Sequence, residues 1–245
     1  MPLVAQNLIP VAEQPSIPVP ERDSQARRRW FELALVMFLA FSGSLIRSIA
    51  LLNAGPSSPN QIAMARWIEA GAHQIGILFL VGYILRQSGR TFRDIGFRWS
   101  LTEATEGLWL YVAAYAFYRF GAVLIHVGYL LFSGSPPHYV DSRQIFGHMS
   151  LFALPFWLLN PFYEEIVVRA YLMTEIRGLT GSVILSAAAS LVLQTSYHLY
   201  YGWAGALAVG IQFIAFAGYF AIWRRALPLV VAHGLFDLVG FFRLR

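Results

Sequence analysis

The sequence has no cysteine and no lysine, and it carries little charge. Without cysteine, disulfides, thiol nucleophiles and thiolate metal sites are excluded. Without lysine, so are Schiff-base chemistry and a general-base amine, because all 18 basic residues are arginine. Only 13% of the 245 residues are charged, about half the share usual in a soluble domain. A charged segment followed by an apolar one is missing at the N-terminus, so no cleavable signal peptide is expected there. No internal repeat is visible, which weakens a transporter built from inverted repeats.

Apolar sequence fills the place of what is lacking. Hydrophobic residues make up 57% and aromatics 16%, and runs of roughly 20 apolar residues recur, the length that crosses about 30 Å of hydrocarbon. The expected fold class is all-α: a polytopic membrane helical bundle of about seven transmembrane helices. The spans expected are 30–52, 62–86, 104–132, 148–172, 181–200, 203–223 and 226–242. Residues 1–26, with Pro2, Pro10, Pro15, Pro18 and Pro20, read as a disordered tail. Residues 27–245 form the transmembrane domain, with the chemistry expected in a core of about 148–242. Asn53–Asn60 reads as a polar loop. Arg27–Arg29, the Arg86–Arg98 loop, the Arg169/Arg177 turn and Arg224/Arg225 share one side if the spans alternate, and that side is expected to be cytoplasmic. The net charge of +5 is thereby explained without nucleic acid. Arg243 and Arg245 break the pattern if the seventh span crosses fully.

Ionisable residues inside a membrane are costly and mark functional positions. Three groups stand out. In Asn160-Pro161-Phe162-Tyr163-Glu164-Glu165-Ile166-Val167-Val168-Arg169, Glu165 and Arg169 are four apart and meet on one helix face. Glu164 points about 100° away and is expected to have no partner in its own turn. An unpaired carboxylate out of water suits general acid–base work; the alternative is a solvated helix end. His198, in Gln194-Thr195-Ser196-Tyr197-His198, is the only histidine, acid or base between Arg177 and Arg224; the alternative is a hydrogen-bonded structural histidine. His233 and Asp237 are again four apart, and the alternative there is a helix-stabilising pair.

The turn near Gly178–Gly181 relates the first two groups. Glu164 and His198 both lie roughly 25 Å from it at 1.5 Å per residue, so an antiparallel hairpin brings them to one depth. His233 lies only about 13 Å beyond Arg224 by the same rise. The depths agree if the hairpin tip protrudes, with Arg169, Glu175 and Arg177 seeking water. Glu69 and His73, near Arg66 in the second span, read as an interhelical or interfacial polar contact.

Glu164-Glu165-x-x-x-Arg169, a histidine on the next helix and His233-x-x-x-Asp237 resemble the three-motif signature of the CAAX protease and bacteriocin-processing (CPBP) family, the type II CAAX prenyl endopeptidases. The resemblance covers about Asn160 to Gly240, and the loop Phe92–Arg98 resembles a family loop before the core. It implies an intramembrane endopeptidase acting on a membrane-associated peptide or protein, prenylated or a leader. Glu164 with His198 would activate a water, His233 and Asp237 would stabilise the oxyanion, and Glu165 with Arg169 would orient. Two positions depart from the family: Gln194 stands where phenylalanine is usual, and Asp237 where prenyl-protease members have asparagine. An ionised aspartate cannot donate to an oxyanion, but it could orient His233.

Glu164, His198, His233 and Asp237 could also supply a hard N/O set for zinc. The sequence lacks His-Glu-x-x-His, so a metal-free glutamate mechanism with no cofactor is favoured. The competing functions are a catalytically silent membrane scaffold, favoured by the two departures, and a small-solute transporter using Glu164, His198 and Glu69 as a relay. Compact size and short loops suit a bacterial cytoplasmic membrane, with the N-terminus cytoplasmic.

Overall fold

The computed structural model describes residues 19–54 and 64–245, and among them there is no strand. The elements are α1 (Val19–Ala54), α2 (Met64–Gln87), α3 (Leu101–Ser133), the short α4 (Ser142–Phe146), α5 (Leu154–Glu164), a π-helical segment (Glu165–Met173), α6 (Thr174–Thr180), α7 (Val183–Tyr197), α8 (Gly202–Trp223) and α9 (Leu227–Leu244). α5, the π segment and α6 run on as one unit from Leu151 to Thr180. Among the described residues six helices are long and apolar enough to cross a membrane, and α7 is a shorter apolar helix. The chain is therefore a polytopic helical membrane protein.

The core is apolar, but the exterior is apolar too, and several charged and polar groups are buried. Phe79, Trp109 and Phe132 face outward, while Glu165, Arg169 and Gln194 are fully buried. A contiguous apolar exterior of this extent is stable only against lipid. The helices also approach as membrane helices do, through small residues. A Cβ on Gly107 of α3 would fall 2.6 Å from Val231 of α9, and one on Gly121 would fall 2.8 Å from Ile211 of α8. These two glycines seat α3 against both helices.

Several elements depart from the sequence reading. α1 begins at Val19, inside the expected tail of 1–26. Pro20 falls in the first turn, where a missing N–H is no loss, and Glu21–Ala26 contain no further proline. Residues 1–18 of that tail, and most of the expected Asn53–Asn60 loop, lie outside the described residues. The expected span 181–200 is shorter: α7 has 15 residues, about 22 Å of helix, and gives way to a 3₁₀ turn at Leu199–Tyr201. The chain thus turns back at His198, inside the bundle. α9, with 18 residues, is long enough to cross, which sets Arg243 beside Arg143. An Arg143 Nη2 donates to the Arg243 carbonyl at 3.4 Å.

Of the three hairpin residues expected to seek water, Arg177 is half-buried and the other two are buried. Arg169 is fully buried and Glu175 is 1% exposed. Arg29 from α1 and Arg90 from the α2–α3 loop both pair with Glu175, the former at 2.8 Å, so guanidiniums stand where solvent was expected. Nearby, Arg225 donates to Glu106 at 2.7 Å and Arg98 to Glu103. In the same arginine-rich loop, the Asp94 carboxylate accepts from the Thr91 hydroxyl and backbone N–H at 2.8 and 2.6 Å. Those bonds hold its carboxyl below the usual range. Arg66, Glu69 and His73 are exposed, which leaves the interfacial alternative.

Candidate active site

Pro161 lies inside α5, and its missing N–H removes one ladder bond. Four residues later the chain enters the π segment, which opens at Glu165 and closes at Met173. Such segments are frequent at functional sites. Here the irregular helix sends two adjacent glutamates to two different helices: Glu164 bonds to α7 and Glu165 to α9.

Glu164 is not unpaired. Its Oε2 accepts from Tyr197 Oη at 2.5 Å and Gln194 Nε2 at 3.1 Å, and its Oε1 accepts from Asn160 Nδ2 at 3.2 Å. Asn160 sits one turn earlier, so the expectation of no partner in its own turn is overturned: an asparagine carboxamide reaches forward along the helix. All three donors are neutral. A carboxylate offers about four acceptor positions, so one remains open on Oε1.

His198 closes α7, and its Nδ1 lies 2.8 Å from the Gln194 carbonyl oxygen. A carbonyl only accepts, so Nδ1 carries hydrogen and Nε2 is left for other partners. The ring stacks among Tyr197, Tyr201 and Phe213, with centroids 4.7, 6.1 and 5.1 Å away. Glu164 accepts from Gln194 and Tyr197, in the last turn before His198. The hairpin of the π segment and α7 therefore brings Glu164 and His198 to one depth.

His233 reaches that depth from α9. Its Nδ1 lies 2.8 Å from Glu165 Oε1, and its Nε2 lies 3.6 Å from Asp237 Oδ1. Glu165 also faces Arg169, at 3.7 Å. The Arg169 guanidinium is 5.3 Å from the centre of the Phe213 ring and 6.0 Å from that of Phe216, a cation–π arrangement that offsets part of its burial. Among the described residues its nitrogens have no hydrogen-bond partner, a pattern that buried water satisfies elsewhere.

Asn160 joins the two halves. Its Nδ2 donates to Glu164 and also to Asp237 Oδ2, at 3.1 Å. Its Oδ1 accepts from Gln74 Nε2 of α2 at 2.8 Å, which fixes the orientation of the carboxamide. The sequence reading gave no role to Gln74, Asn160 or Tyr197. Asn160 and Tyr197 stood inside the motifs; Gln74 had only one signal, an uncharged polar residue that opens the apolar run Ile75–Leu85.

A cavity of about 730 Å³ reaches the cluster. His198, His233 and Asp237 line its inner end, and it follows α9 outward through Gly240 to Arg243 and Leu244. Gln212 and the Tyr111, Tyr115 and Tyr118 side of α3 complete much of its wall. Among the described residues no three His, Asp or Glu side chains are arranged to hold a metal ion.

Comparison with curated proteins and with solved structures gave no match. A family model does match: residues 146–239 fit that of the type II CAAX prenyl endopeptidase Rce1-like family. The match contains Glu164, His198, His233 and Asp237, and it supports CAAX-type intramembrane protease activity in general. Residues 146–239, which carry all four of these side chains, are thus similar to the type II CAAX prenyl endopeptidase Rce1-like family.

Proposed function

We propose that the protein hydrolyses a peptide bond of a membrane-associated peptide by means of a water held between Glu164 and His198. The observation that carries this reading is the Glu164 carboxylate. It is buried, fixed by three neutral donors, and has one acceptor position to spare. The water donates to that position and to His198 Nε2, and its oxygen attacks the scissile carbonyl carbon. The proton released passes to Glu164. His233, oriented through Nδ1 by Glu165, donates from Nε2 to the oxyanion, an interaction that typically contributes a few kcal/mol to the transition state. Glu164 then returns the proton to the leaving nitrogen as the C–N bond breaks. Asp237 accepts from Asn160 and faces His233, so an orienting part suits it better than donation to the oxyanion. The departure at Gln194 is consistent with this scheme, because the carboxamide supplies a donor to Glu164 that phenylalanine cannot.

The test is cleavage of membrane-associated peptides by the reconstituted protein, with wild type, Glu164→Gln and His198→Ala compared with and without a chelator. Loss of cleavage in both variants and retention in chelator is the expected outcome. Full cleavage by Glu164→Gln contradicts the role given to that residue, and loss in chelator moves the chemistry to a metal.

A further inference from the structure

At the arginine-rich end of the bundle, Arg29, Arg90, Arg98 and Arg225 each pair with a glutamate. Two other arginines there do not. Arg177 of α6 and Arg224, which ends α8, are both half-buried. Among the described residues neither has a carboxylate partner. Arg224 is built into its place. Its backbone is left-handed, with φ of 54°, the one positive φ outside glycine among the described residues and a costly conformation for a residue with a Cβ. The loop before α3 holds it there: the Ala226 N–H donates to the Gly96 carbonyl at 2.8 Å, and a Cβ on Gly96 would overlap the Arg224 carbonyl. The turn lays the guanidinium against the Phe220 ring, 5.5 Å from its centre. Arg224 Nη2 donates to the Thr174 hydroxyl at 2.9 Å. Thr174 and Arg177 are three apart on α6 and share a face, so both guanidiniums stand beside the same hydroxyl. Partial burial, and then the like charge of Arg177, hold the Arg224 guanidinium below its usual range.

Two like charges held together without a counter-charge form a receptor for an anion, and forked guanidinium donors match phosphate oxygens. The Thr174 hydroxyl accepts from Arg224, which leaves its own hydrogen to donate. Ile222 and Trp223, the two residues before Arg224, are exposed. Apolar exterior therefore begins directly beside the charges, with a tryptophan at the level where tryptophans meet lipid headgroups. We infer that Arg177, Arg224 and Thr174 bind the phosphate of an anionic membrane phospholipid, whose chains lie along the outer face of α8. Basic sites between membrane helices take headgroups in this way. The phosphate has a structural consequence. α6 continues the π segment that carries Glu165, and Arg224 leads into the helix that carries His233. A lipid held by both arginines ties these two parts of the bundle together. The inference does not depend on the peptidase reading.

The experiment reads thermal unfolding of the full-length protein in nanodiscs of phosphatidylcholine alone and of phosphatidylcholine mixed with phosphatidylglycerol. Each variant is compared with itself in the two lipids, so a change in its basal midpoint does not enter. Wild type is expected to unfold about 3 °C higher in the mixture, because a ligand of the folded state stabilises it. Arg177→Gln and Thr174→Val should each shrink that shift, and Arg177→Gln combined with Arg224→Gln should erase it. Arg93→Gln, at an exposed arginine of the same end, should keep it. If the double variant does not fold, Arg177→Gln decides alone, since its side chain makes no hydrogen bond or ion pair among the described residues. Equal midpoints for wild type in the two lipids overturn the inference. A shift that survives in Arg177→Gln, or that Arg93→Gln reduces as much, also overturns it and assigns the effect to diffuse surface charge. An equal shift from inorganic phosphate in phosphatidylcholine nanodiscs overturns the lipid assignment in favour of a free anion.

Discussion

Glu175 and Glu164 are both glutamates buried in the same bundle, and they have opposite kinds of partner. Glu175 lies between Arg29 and Arg90. Glu164 is held by Asn160, Gln194 and Tyr197, none of them charged. Two guanidiniums cancel the charge of Glu175 and make it a strut joining α1, the α2–α3 loop and α6. Neutral donors fix the position of Glu164 without cancelling its charge, so it keeps the capacity to take a proton. Burial is common to the two; under the proposed mechanism, charge balance separates the structural carboxylate from the chemical one.

The comparison is sharpest at Glu164 itself. Glu164→Gln keeps the shape and loses the base, so cleavage in reconstituted membranes is expected to fall by about 10²–10⁴-fold, the usual contribution of a positioned general base, with little change in thermal unfolding. Glu175→Ala should do the reverse. Loss of its charge-assisted bonds should cost about 2 kcal/mol, seen as a lower unfolding midpoint, while the cleavage rate per folded molecule is kept. Tyr197→Phe removes one of the three donors and should lower kcat by about 10-fold, equivalent to about 1.4 kcal/mol. Gln74→Leu acts at one further remove, by freeing the Asn160 carboxamide to turn. A drop in kcat of about 3-fold with KM unchanged is expected, less than the roughly 1 kcal/mol of a typical hydrogen bond. The smallest effect belongs to Asp94, an exposed carboxylate stabilised by Thr91. Its folded-state value lies below the unfolded one, so its contribution is present above about pH 4 and is lost as pH falls through the folded value. Asp94→Asn should remove that part of the pH dependence of thermal unfolding.

The same contrast explains what the sequence disclosed. Glu164, Glu165, Arg169, His198, His233 and Asp237 are charged or titratable groups in apolar runs, and the cost of placing them there makes them visible without coordinates. The spans were legible for the related reason that lipid demands long apolar runs. Neutral hydrogen-bonding partners carry no such signal. Gln74 lies 86 residues from Asn160, and Tyr197 is one of 12 tyrosines; neither spacing nor composition joins them to Glu164. Glu175 misled for the opposite reason. A glutamate near a helix turn reads as solvated, and only the fold brings Arg29 and Arg90, from two other elements, onto its oxygens. The span expected over 181–200 exceeds α7 because the apolar run continues past the point where His198 and the 3₁₀ turn end the helix.

The central claim is that Glu164 performs the chemistry and Glu175 the construction. Cleavage rate and unfolding midpoint measured on the same reconstituted samples of Glu164→Gln and Glu175→Ala test it most directly. Glu164→Gln should lose cleavage at nearly the wild-type midpoint, and Glu175→Ala should keep it at a lowered one. An active Glu164→Gln, or one whose loss of activity is matched by an equal loss of stability, would contradict it.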